Sequence, residues 1–225
     1  MAILKAISTD DYFKKLNKEN KNAIVDLSKP TKFKFISTGS WVMNMIIGDG
    51  SNKNEPAGFP RSHIVEIMGD ESSGKTTLAM SACKQAQKLN EGPVVFADFE
   101  RSFHEKYARN MGIDLSPQKL ILMRPDNFQQ GEEMMTDSLH TKPPLLIIDS
   151  VTAMIPREFF DGNVDDAGRI GLHAQYMSKF LSKISKILPE SETCLILINQ
   201  IRSLIKKTKY DTGPEEESTG GRALR

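Results

Sequence analysis

The sequence predicts an α/β protein in which helices cover both faces of a mostly parallel sheet. Some apolar runs have no polar face, such as Leu145–Asp149 (LLIID) and Thr193–Asn199 (TCLILIN). Runs of this kind are typical of strands that are covered on both sides. Between them lie stretches with helical periodicity. A chain that alternates strands and helices in this way forms a parallel sheet.

The predicted elements alternate from residue 61 onward. Strands are predicted at Ile64–Met68, Pro93–Phe99, Lys119–Met123, Leu145–Asp149 and Thr193–Asn199. Helices are predicted at Lys75–Leu89, Glu105–Met111, Phe128–Leu139 and Gly171–Leu188. The last helix has an apolar side formed by Met177, Phe180, Leu181, Ile184, Ile187 and Leu188. Met154–Ile170 and Ser203–Thr219 fit neither pattern, and long loops inside a domain are usually functional or mobile.

The first 35 residues are rich in Lys and Asn and differ from the rest of the chain. Ser8-Thr9-Asp10-Asp11 is a capping-box start, and Tyr12, Phe13 and Leu16 follow as a short apolar stripe. We therefore predict a small amphipathic helix and then a polar connector. The predicted organisation is an N-terminal arm with its linker at 1–35 and an α/β core at 36–225.

The composition sets broad limits on function. The chain has 225 residues, 39% of them hydrophobic and 26% charged, which allows a packed core and excludes global disorder. The net charge of +1 gives no general attraction to nucleic acid, so a nucleic-acid partner needs a local basic patch. Cys83 and Cys194 stand in apolar stretches, as buried thiols do in a reducing compartment. No run resembles a signal peptide or a membrane span, so we expect a soluble, cytoplasmic protein without a membrane partner.

A glycine-bounded segment, GDESSGKTT, fits the phosphate-loop pattern G-x-x-x-x-G-K-[ST]. Its glycines allow backbone N–H groups to point at phosphate oxygens, and the lysine adds a positive charge. The helix that begins at the lysine directs its positive dipole end at the same phosphates. We therefore predict ATP binding with Mg²⁺. The predicted contacts are Gly69, Glu71, Ser72, Ser73, Gly74, Lys75, Thr76 and Thr77, with the Thr76 hydroxyl on the metal.

Polar residues at the ends of the other strands complete this hypothesis. Asp149 ends an apolar strand and would hold Mg²⁺ together with Thr76. Asp98 and Glu100 end the second strand, and either could orient the attacking water. Strand alternation puts both on one side if the strand extends that far. Asn199-Gln200 ends the last strand, where an amide can sense the γ-phosphate. From the sequence pattern alone, Asp98 and Glu100 are as consistent with a solvated acidic turn as with a catalytic role. Asn199-Gln200 is as consistent with an ordinary polar strand end as with a sensor.

Several further segments, with these motifs, resemble the RecA family of homologous-recombination ATPases. They occur in the family's order and near its spacing from about residue 35 to the end. They include Ile36-Ser37-Thr38-Gly39-Ser40, Gly58-Phe59-Pro60, Tyr107-Ala108-Arg109, Ile147-Ile148-Asp149-Ser150-Val151, Ile198-Asn199-Gln200-Ile201-Arg202 and Thr219-Gly220-Gly221-Arg222-Ala223-Leu224. The Ile-Asn-Gln-Ile-Arg and Thr-Gly-Gly segments are more specific than the phosphate loop. The resemblance implies a RecA-like P-loop core.

The resemblance also implies roles for individual residues. It makes Glu100 the catalytic glutamate, with Lys75 beside the phosphates, and Gln200 the γ-phosphate sensor. Tyr107 falls on the residue that packs by the adenine. Met154–Ile170 and Ser203–Thr219 become the two DNA-binding loops, and the N-terminal arm becomes the segment that docks on a neighbouring protomer.

DNA contacts are suggested first by a basic run around Ser203–Tyr210, which the sequence alone does not distinguish from a solvated loop. The resemblance favours DNA. It places contacts at Ile170, Gly171, Ser178, Ile205, Gly220, Gly221 and Arg222. Two of the family's arginine contact positions are Gln175 and Ser182 in this sequence, so the phosphate contacts differ in part.

The expected function is that of a DNA-dependent ATPase in recombination and repair. It would form an ATP-bound helical filament on single-stranded DNA and exchange strands with duplex DNA. A RecA-core motor of another kind, such as a hexameric helicase, and a non-catalytic filament regulator are the alternatives. The family's core continues past the position of Arg225 with lysines that reach a neighbour's ATP. From this we expect weak hydrolysis that DNA stimulates poorly.

Overall fold

The structure is a computed structural model that describes residues 8–19, 34–48, 58–160, 166–203 and 216–218. The chain divides into two compact units, Met1–Phe33 and Lys34–Arg225. In the first unit, helix α1 (Thr9–Glu19) follows Ser8. The Ser8 hydroxyl accepts a 3.1 Å hydrogen bond from the amide of Asp11 and donates one of 2.7 Å to its carboxylate. The predicted helix and its cap are confirmed.

The second unit contains a five-stranded parallel sheet. Its strands are β3 (Ile64–Gly69), β4 (Val94–Asp98), β5 (Leu120–Met123), β6 (Leu145–Asp149) and β7 (Cys194–Ser203). They lie side by side in the order β3-β7-β6-β4-β5. The three central strands are buried over Val94–Asp98, Leu145–Asp149 and residues 194–199, because apolar side chains alternate between two covered faces. This arrangement confirms the predicted α/β fold class.

Helices cover the two faces of the sheet, and two apolar clusters form the core. On one face, α3 (Lys75–Gln87) and α4 (Glu105–Asn110) pack over side chains that include Phe96, Ile147 and Ile196. On the other face, α5 (Phe128–Leu139) and α6 (Asp166–Ser191) cover the alternate positions, among them Leu146 and Leu197. Each strand therefore contributes to both clusters, and the strand ends are fixed from both sides.

Helix α6 begins five residues earlier than the sequence pattern predicts and includes part of the unassigned segment Met154–Ile170. Gly168 and Gly171 weaken the local helical preference there, since glycine is a poor helix former. Short 3₁₀ turns at Val151–Ala153 and Arg157–Phe159 precede it. Strand β8 (Glu216–Ser218) pairs antiparallel with Ile201–Ser203, so the unassigned segment Ser203–Thr219 has a paired strand at each end.

Three short elements precede the sheet, and the sequence pattern does not predict them. Strand β1 (Phe35–Ile36) pairs antiparallel with β2 (Phe59–Pro60), and helix α2 (Trp41–Ile47) lies between them in the chain. Ser40 caps α2 by accepting from the amide of Met43 at 3.4 Å. Within the described ranges, no helix has both the length and the apolar character that crossing a membrane requires.

Candidate nucleotide-binding site

The predicted site residues converge on the carboxyl edge of the parallel sheet. The ladders pair Gly69 of β3 with Gln200 of β7, and Asp98 of β4 with Asp149 of β6. Because β7 lies between β3 and β6, these four strand ends adjoin one another. Ligands of open α/β sheets bind outside the carboxyl ends of the strands, where loops present their polar groups.

The phosphate loop connects β3 to α3 through two residues with positive φ. Ser72 has φ 60°, and Gly74, the N-cap of α3, has φ 90°. A Cβ at Gly74 would meet nothing within 4 Å, so the backbone conformation, rather than space, requires glycine there. A Cβ at Gly69 would lie 2.9 Å from the Ser73 hydroxyl, so a larger residue there would require the Ser73 side chain to move. Glu71, Ser72, Ser73 and Gly74 are exposed.

The first turn of α3 supplies the side chains of Lys75, Thr76 and Thr77 to the site. The Lys75 ammonium donates to the carbonyl oxygens of Gly69 at 3.0 Å and Asp70 at 2.6 Å, and so lies over the loop. The hydroxyl groups of Thr77 and Tyr107 are 3.1 Å apart, and the Tyr107 side chain is exposed on α4. The amide N–H groups of a first helical turn have no partners within the helix, so they are available to an anion.

Asp149 is buried at the end of β6 and accepts a 2.8 Å hydrogen bond from the Thr76 hydroxyl. Burial raises the pKa of the Asp149 carboxyl to about 6, and the negative charges of Glu100 and Asp98 add to this rise. The Thr76 hydrogen bond and the positive charge of Lys75 act in the opposite direction on the same pKa. A desolvated carboxylate among other carboxylates, next to a threonine hydroxyl, is a donor set that fits a hard cation such as Mg²⁺.

Glu100 lies in the bend after β4 and reaches across the strand ends. The amides of Phe99 and Glu100 donate to the Asp149 carbonyl at 2.8 and 3.2 Å. Glu100 Oε1 accepts hydrogen bonds from the Ser150 hydroxyl and, at 3.4 Å, from Gln200 Nε2. The peptide between Asp149 and Ser150 is cis. The side chain of Glu100 is exposed at this edge of the sheet.

The structure separates the two carboxylates that the sequence leaves as alternatives. Strand β4 ends at Asp98, so strand alternation does not extend to Glu100. Asp98 is fully buried and accepts from the amides of Ser102 and Phe103 and from Arg124. A carboxylate with three donors and no exposed surface has no access to a water molecule that attacks a phosphate. Of these two residues, Glu100 is the one that faces the site.

The residues predicted to contact DNA lie apart from this cluster in the chain, and only some are described. Ile170, Gly171 and Ser178 belong to α6, and the last two are exposed. Ile205, Gly220, Gly221 and Arg222 lie outside the described residues. The paired strands of residues 201–203 and 216–218 flank the second predicted DNA segment, and the first of them begins directly after Gln200.

Ser150 and Arg124 contact the candidate catalytic carboxylates, but the sequence pattern assigns no role to either residue. Ser150 follows the strand-end aspartate, and a hydroxyl at that position is a signal that could have been noticed. Arg124 follows β5 directly and contacts Asp98, 26 residues earlier in the chain. The sequence shows that Arg124 follows a predicted strand. It does not show that β4 and β5 are neighbours in the sheet, which is what brings Arg124 to Asp98.

The fold and the loop define a P-loop protein with a RecA-like α/β core. The chain belongs to the RecA family: the RecA N-terminal domain matches residues 6–225. Protein RecA of Mycoplasma pneumoniae is 39% identical over 224 residues, which are 99% of this chain and 62% of that protein. Protein RecA of Streptomyces venezuelae is 39% identical over 208 residues, 91% of this chain and 51% of its own length. The chain thus spans about half to three fifths of these two relatives.

Proposed function

We propose that this chain is the ATP-hydrolysing core of a homologous-recombination protein that acts on single-stranded DNA. It binds ATP with Mg²⁺, assembles with copies of itself as a helical filament on the DNA, and promotes strand exchange with a duplex. The observation that supports this best is the contact between Glu100 and Gln200. It joins a candidate hydrolytic base to a residue that leads into the predicted DNA segment.

Nucleotide binding follows from the loop and the first turn of α3. Lys75 has three ammonium hydrogens, so it can hold the carbonyls of Gly69 and Asp70 and still donate to a phosphate oxygen. The amides of the first turn of α3 and the dipole of the helix add to this attraction. Tyr107, next to Thr77, offers an exposed aromatic face against which a base can pack.

Hydrolysis requires a base that orients water and donors that hold this base in place. The Ser150 hydroxyl and the Gln200 amide both donate to Glu100 Oε1, which leaves Oε2 to accept a hydrogen bond from water. Thr76 and Asp149 would hold Mg²⁺. When bound, this ion would neutralise the charge that develops on the phosphates. Lys75 would contribute a second positive charge from the other side of the loop.

The position of Gln200 supports coupling between the nucleotide and DNA. Its side chain contacts Glu100, and the residue that follows it, Ile201, is paired with Ser218 in the antiparallel ribbon. If Gln200 shifts when the γ-phosphate leaves, residues 201–203 and their partner strand 216–218, which flank the predicted DNA segment, would therefore shift with it. Ile170, Gly171 and Ser178 on α6, together with Ile205, Gly220, Gly221 and Arg222, are the proposed DNA contacts. The stripe on α1 is the proposed contact to a neighbouring protomer.

The test is the rate of ATP hydrolysis with and without single-stranded DNA. Lys75→Ala should abolish turnover, because it removes a charge from the phosphates while the fold is retained. Glu100→Gln should bind a fluorescent ATP analogue normally but hydrolyse ATP about 10²–10⁴-fold more slowly, because the base is lost. Lys88→Ala, at the other end of α3, is the matched control and should behave as wild type. Unchanged hydrolysis in Lys75→Ala would overturn the assignment.

A further inference from the structure

A buried carboxylate ties back the loop that carries Glu100. Asp98 ends β4, and its Oδ1 accepts from the Ser102 amide at 2.9 Å while its Oδ2 accepts from the Phe103 amide at 3.2 Å. The chain from residue 99 to residue 103 therefore leaves the strand and returns to it. The loop must turn sharply to do so, and Arg101 within it has φ 55°. Phe103 anchors the return by packing edge-on against Phe96, with ring centroids 5.1 Å apart.

Arg124 holds this carboxylate from the neighbouring strand. It follows β5 directly, and its Nε donates to Asp98 Oδ2 at 3.2 Å. The Asp98 side chain is 0% exposed, whereas the Arg124 side chain is 43% exposed. A fully buried carboxylate is costly unless it is paired and hydrogen-bonded. The two amides and the guanidinium together supply that pairing. We name this group of Asp98, Arg124, Ser102 and Phe103 the Asp98 clamp.

The clamp acts on Glu100 through the backbone. Glu100 is held at its amide by the Asp149 carbonyl, 3.2 Å away. Two residues further on, the Ser102 amide is held by Asp98. The peptide that carries the Glu100 side chain is therefore fixed on both sides, by two different strand ends. Its carboxylate then meets Ser150 and Gln200.

We propose that Asp98 is a positioning residue that, with Arg124, fixes the loop from which Glu100 acts on the attacking water. The inference rests on the proposed function, because it takes Glu100 to be the hydrolytic base. Asp98 itself touches no reacting atom. An Asn at this position would turn an NH₂ group either towards the Ser102 amide, or towards both the Phe103 amide and the Arg124 guanidinium, and all three groups are donors. The loop would then relax, and a displacement of about 1 Å at a reacting group can cost about 100-fold in rate.

A second arginine in the same two loops provides the matched control. Arg101 pairs with Asp126 at 2.5 Å, so this pair also joins the loop after β4 to the loop after β5. The two side chains are 55% and 72% exposed, and neither contacts Asp98 in the described interactions. Arg101→Gln and Arg124→Gln therefore remove the same charge from neighbouring places. Only the second removes a donor from the clamp.

The first measurement is steady-state ATP hydrolysis together with the Kd of a fluorescent ATP analogue. Asp98→Asn and Arg124→Gln should lower kcat about 10-fold or more while Kd changes less than about 3-fold, and Arg101→Gln should match wild type. In a Glu100→Gln background, Asp98→Asn should slow the residual rate no further, because its effect passes through Glu100. If the Glu100→Gln, Asp98→Asn double variant instead loses rate by the product of the two single losses, the proposal is overturned.

The second measurement does not depend on turnover. Hydrogen–deuterium exchange at the Ser102 and Phe103 amides should be faster in Asp98→Asn and Arg124→Gln and unchanged in Arg101→Gln. Unchanged exchange in the first two variants would overturn the clamp, whether or not the wild type hydrolyses ATP. If wild type lacks turnover and exchange is nevertheless faster in both, the proposed function fails and so does the kinetic role of the clamp. Arg124→Gln carries the test if Asp98→Asn does not fold, because Arg124 is partly exposed.

Discussion

Gln200 Nε2 lies 3.4 Å from Glu100 Oε1, although the two residues are 100 positions apart in the chain. The contact crosses the carboxyl ends of three strands, since β6 lies between β4 and β7. It therefore depends on the strand order and on the loop after β4. Gln200 is also paired through its backbone with Gly69, the first residue of the phosphate loop. One residue thus meets the phosphate loop through its backbone and Glu100 through its side chain, and it precedes the antiparallel pair of residues 201–203 and 216–218 that flanks the proposed DNA segment.

Shortening Gln200 by one methylene should uncouple hydrolysis from DNA. In Gln200→Asn the amide no longer reaches Glu100, while the strand pairing with Gly69 is kept. We expect nucleotide binding within about 3-fold of wild type, and complete loss of the weak stimulation by single-stranded DNA that we expect of the wild type. Hydrolysis rates over a range of DNA concentrations measure this. Gln118→Asn, at an exposed glutamine before β5, is the control. Full stimulation in Gln200→Asn would remove Gln200 from the coupling.

Removing the Thr76 hydroxyl should raise the demand for Mg²⁺. Thr76→Val keeps the shape of the side chain but loses both the 2.8 Å contact to Asp149 and a candidate oxygen ligand. We expect the Mg²⁺ concentration for half-maximal hydrolysis to rise about 10-fold or more, as is typical when a metal site loses such a partner. Thr76→Ser retains the hydroxyl and should stay close to wild type. Equal Mg²⁺ titrations for the Val and Ser variants would exclude the hydroxyl from the metal site.

The sheet and the phosphate loop could be predicted because their signals are local. Apolar runs mark the buried strands, and the spacing of Gly69, Gly74 and Lys75 marks the loop. Helix α2 was missed, since its sequence WVMNMII has no polar face and is rich in residues that favour strands. Residue spacing left Asp98 and Glu100 as alternatives and only the RecA resemblance favoured Glu100, because the choice depends on donors from residues 102, 103 and 124. Which donors meet a given carboxylate is decided by strand order and loop closure, and neither is encoded in spacing.

Acid should destabilise the fold through His173. Burial lowers the pKa of His173 below its usual value, although hydrogen bonds to the backbone of Val151 and Met154 act against this. His173 therefore binds a proton more tightly in the unfolded chain than in the folded one. Its contribution to the free energy of unfolding is fully present above its ordinary pKa of 6.5 and is lost as the pH falls below that value. Urea midpoints at pH 7.5 and 5.5 measure the loss.

One variant isolates the contribution of His173. His173→Gln removes the titrating ring and should show a smaller fall in the urea midpoint between pH 7.5 and 5.5 than wild type. If His173→Gln and wild type lose the same stability between the two pH values, the ring does not titrate as its burial requires.

A methyl group at Gly131 should harm the fold and the site together. A Cβ built at this position in α5 would overlap Phe99 Cζ and lie 2.8 Å from Phe99 Cε1 and 3.2 Å from Pro125 Cγ. Overpacking of a buried contact costs about 1–3 kcal/mol. That exceeds the gain of about 1 kcal/mol that alanine brings over glycine in a helix. We expect a net loss of unfolding free energy in Gly131→Ala and slower hydrolysis, because Phe99 precedes Glu100.

Gly171→Ala, in the other helix of the same sheet face, separates helix propensity from crowding. A Cβ at Gly171 would meet nothing within 4 Å, so alanine should stabilise the fold by up to about 1 kcal/mol. Urea unfolding of the two alanine variants should therefore shift in opposite directions. Phe99→Leu replaces the ring that the new methyl group meets with a shorter side chain. Combined with Gly131→Ala, it should recover part of the lost free energy of unfolding. If Gly131→Ala is as stable as Gly171→Ala, Phe99 moves aside without cost. The loop that carries Glu100 would then be more mobile than its hydrogen bonds to Asp98 and Asp149 imply.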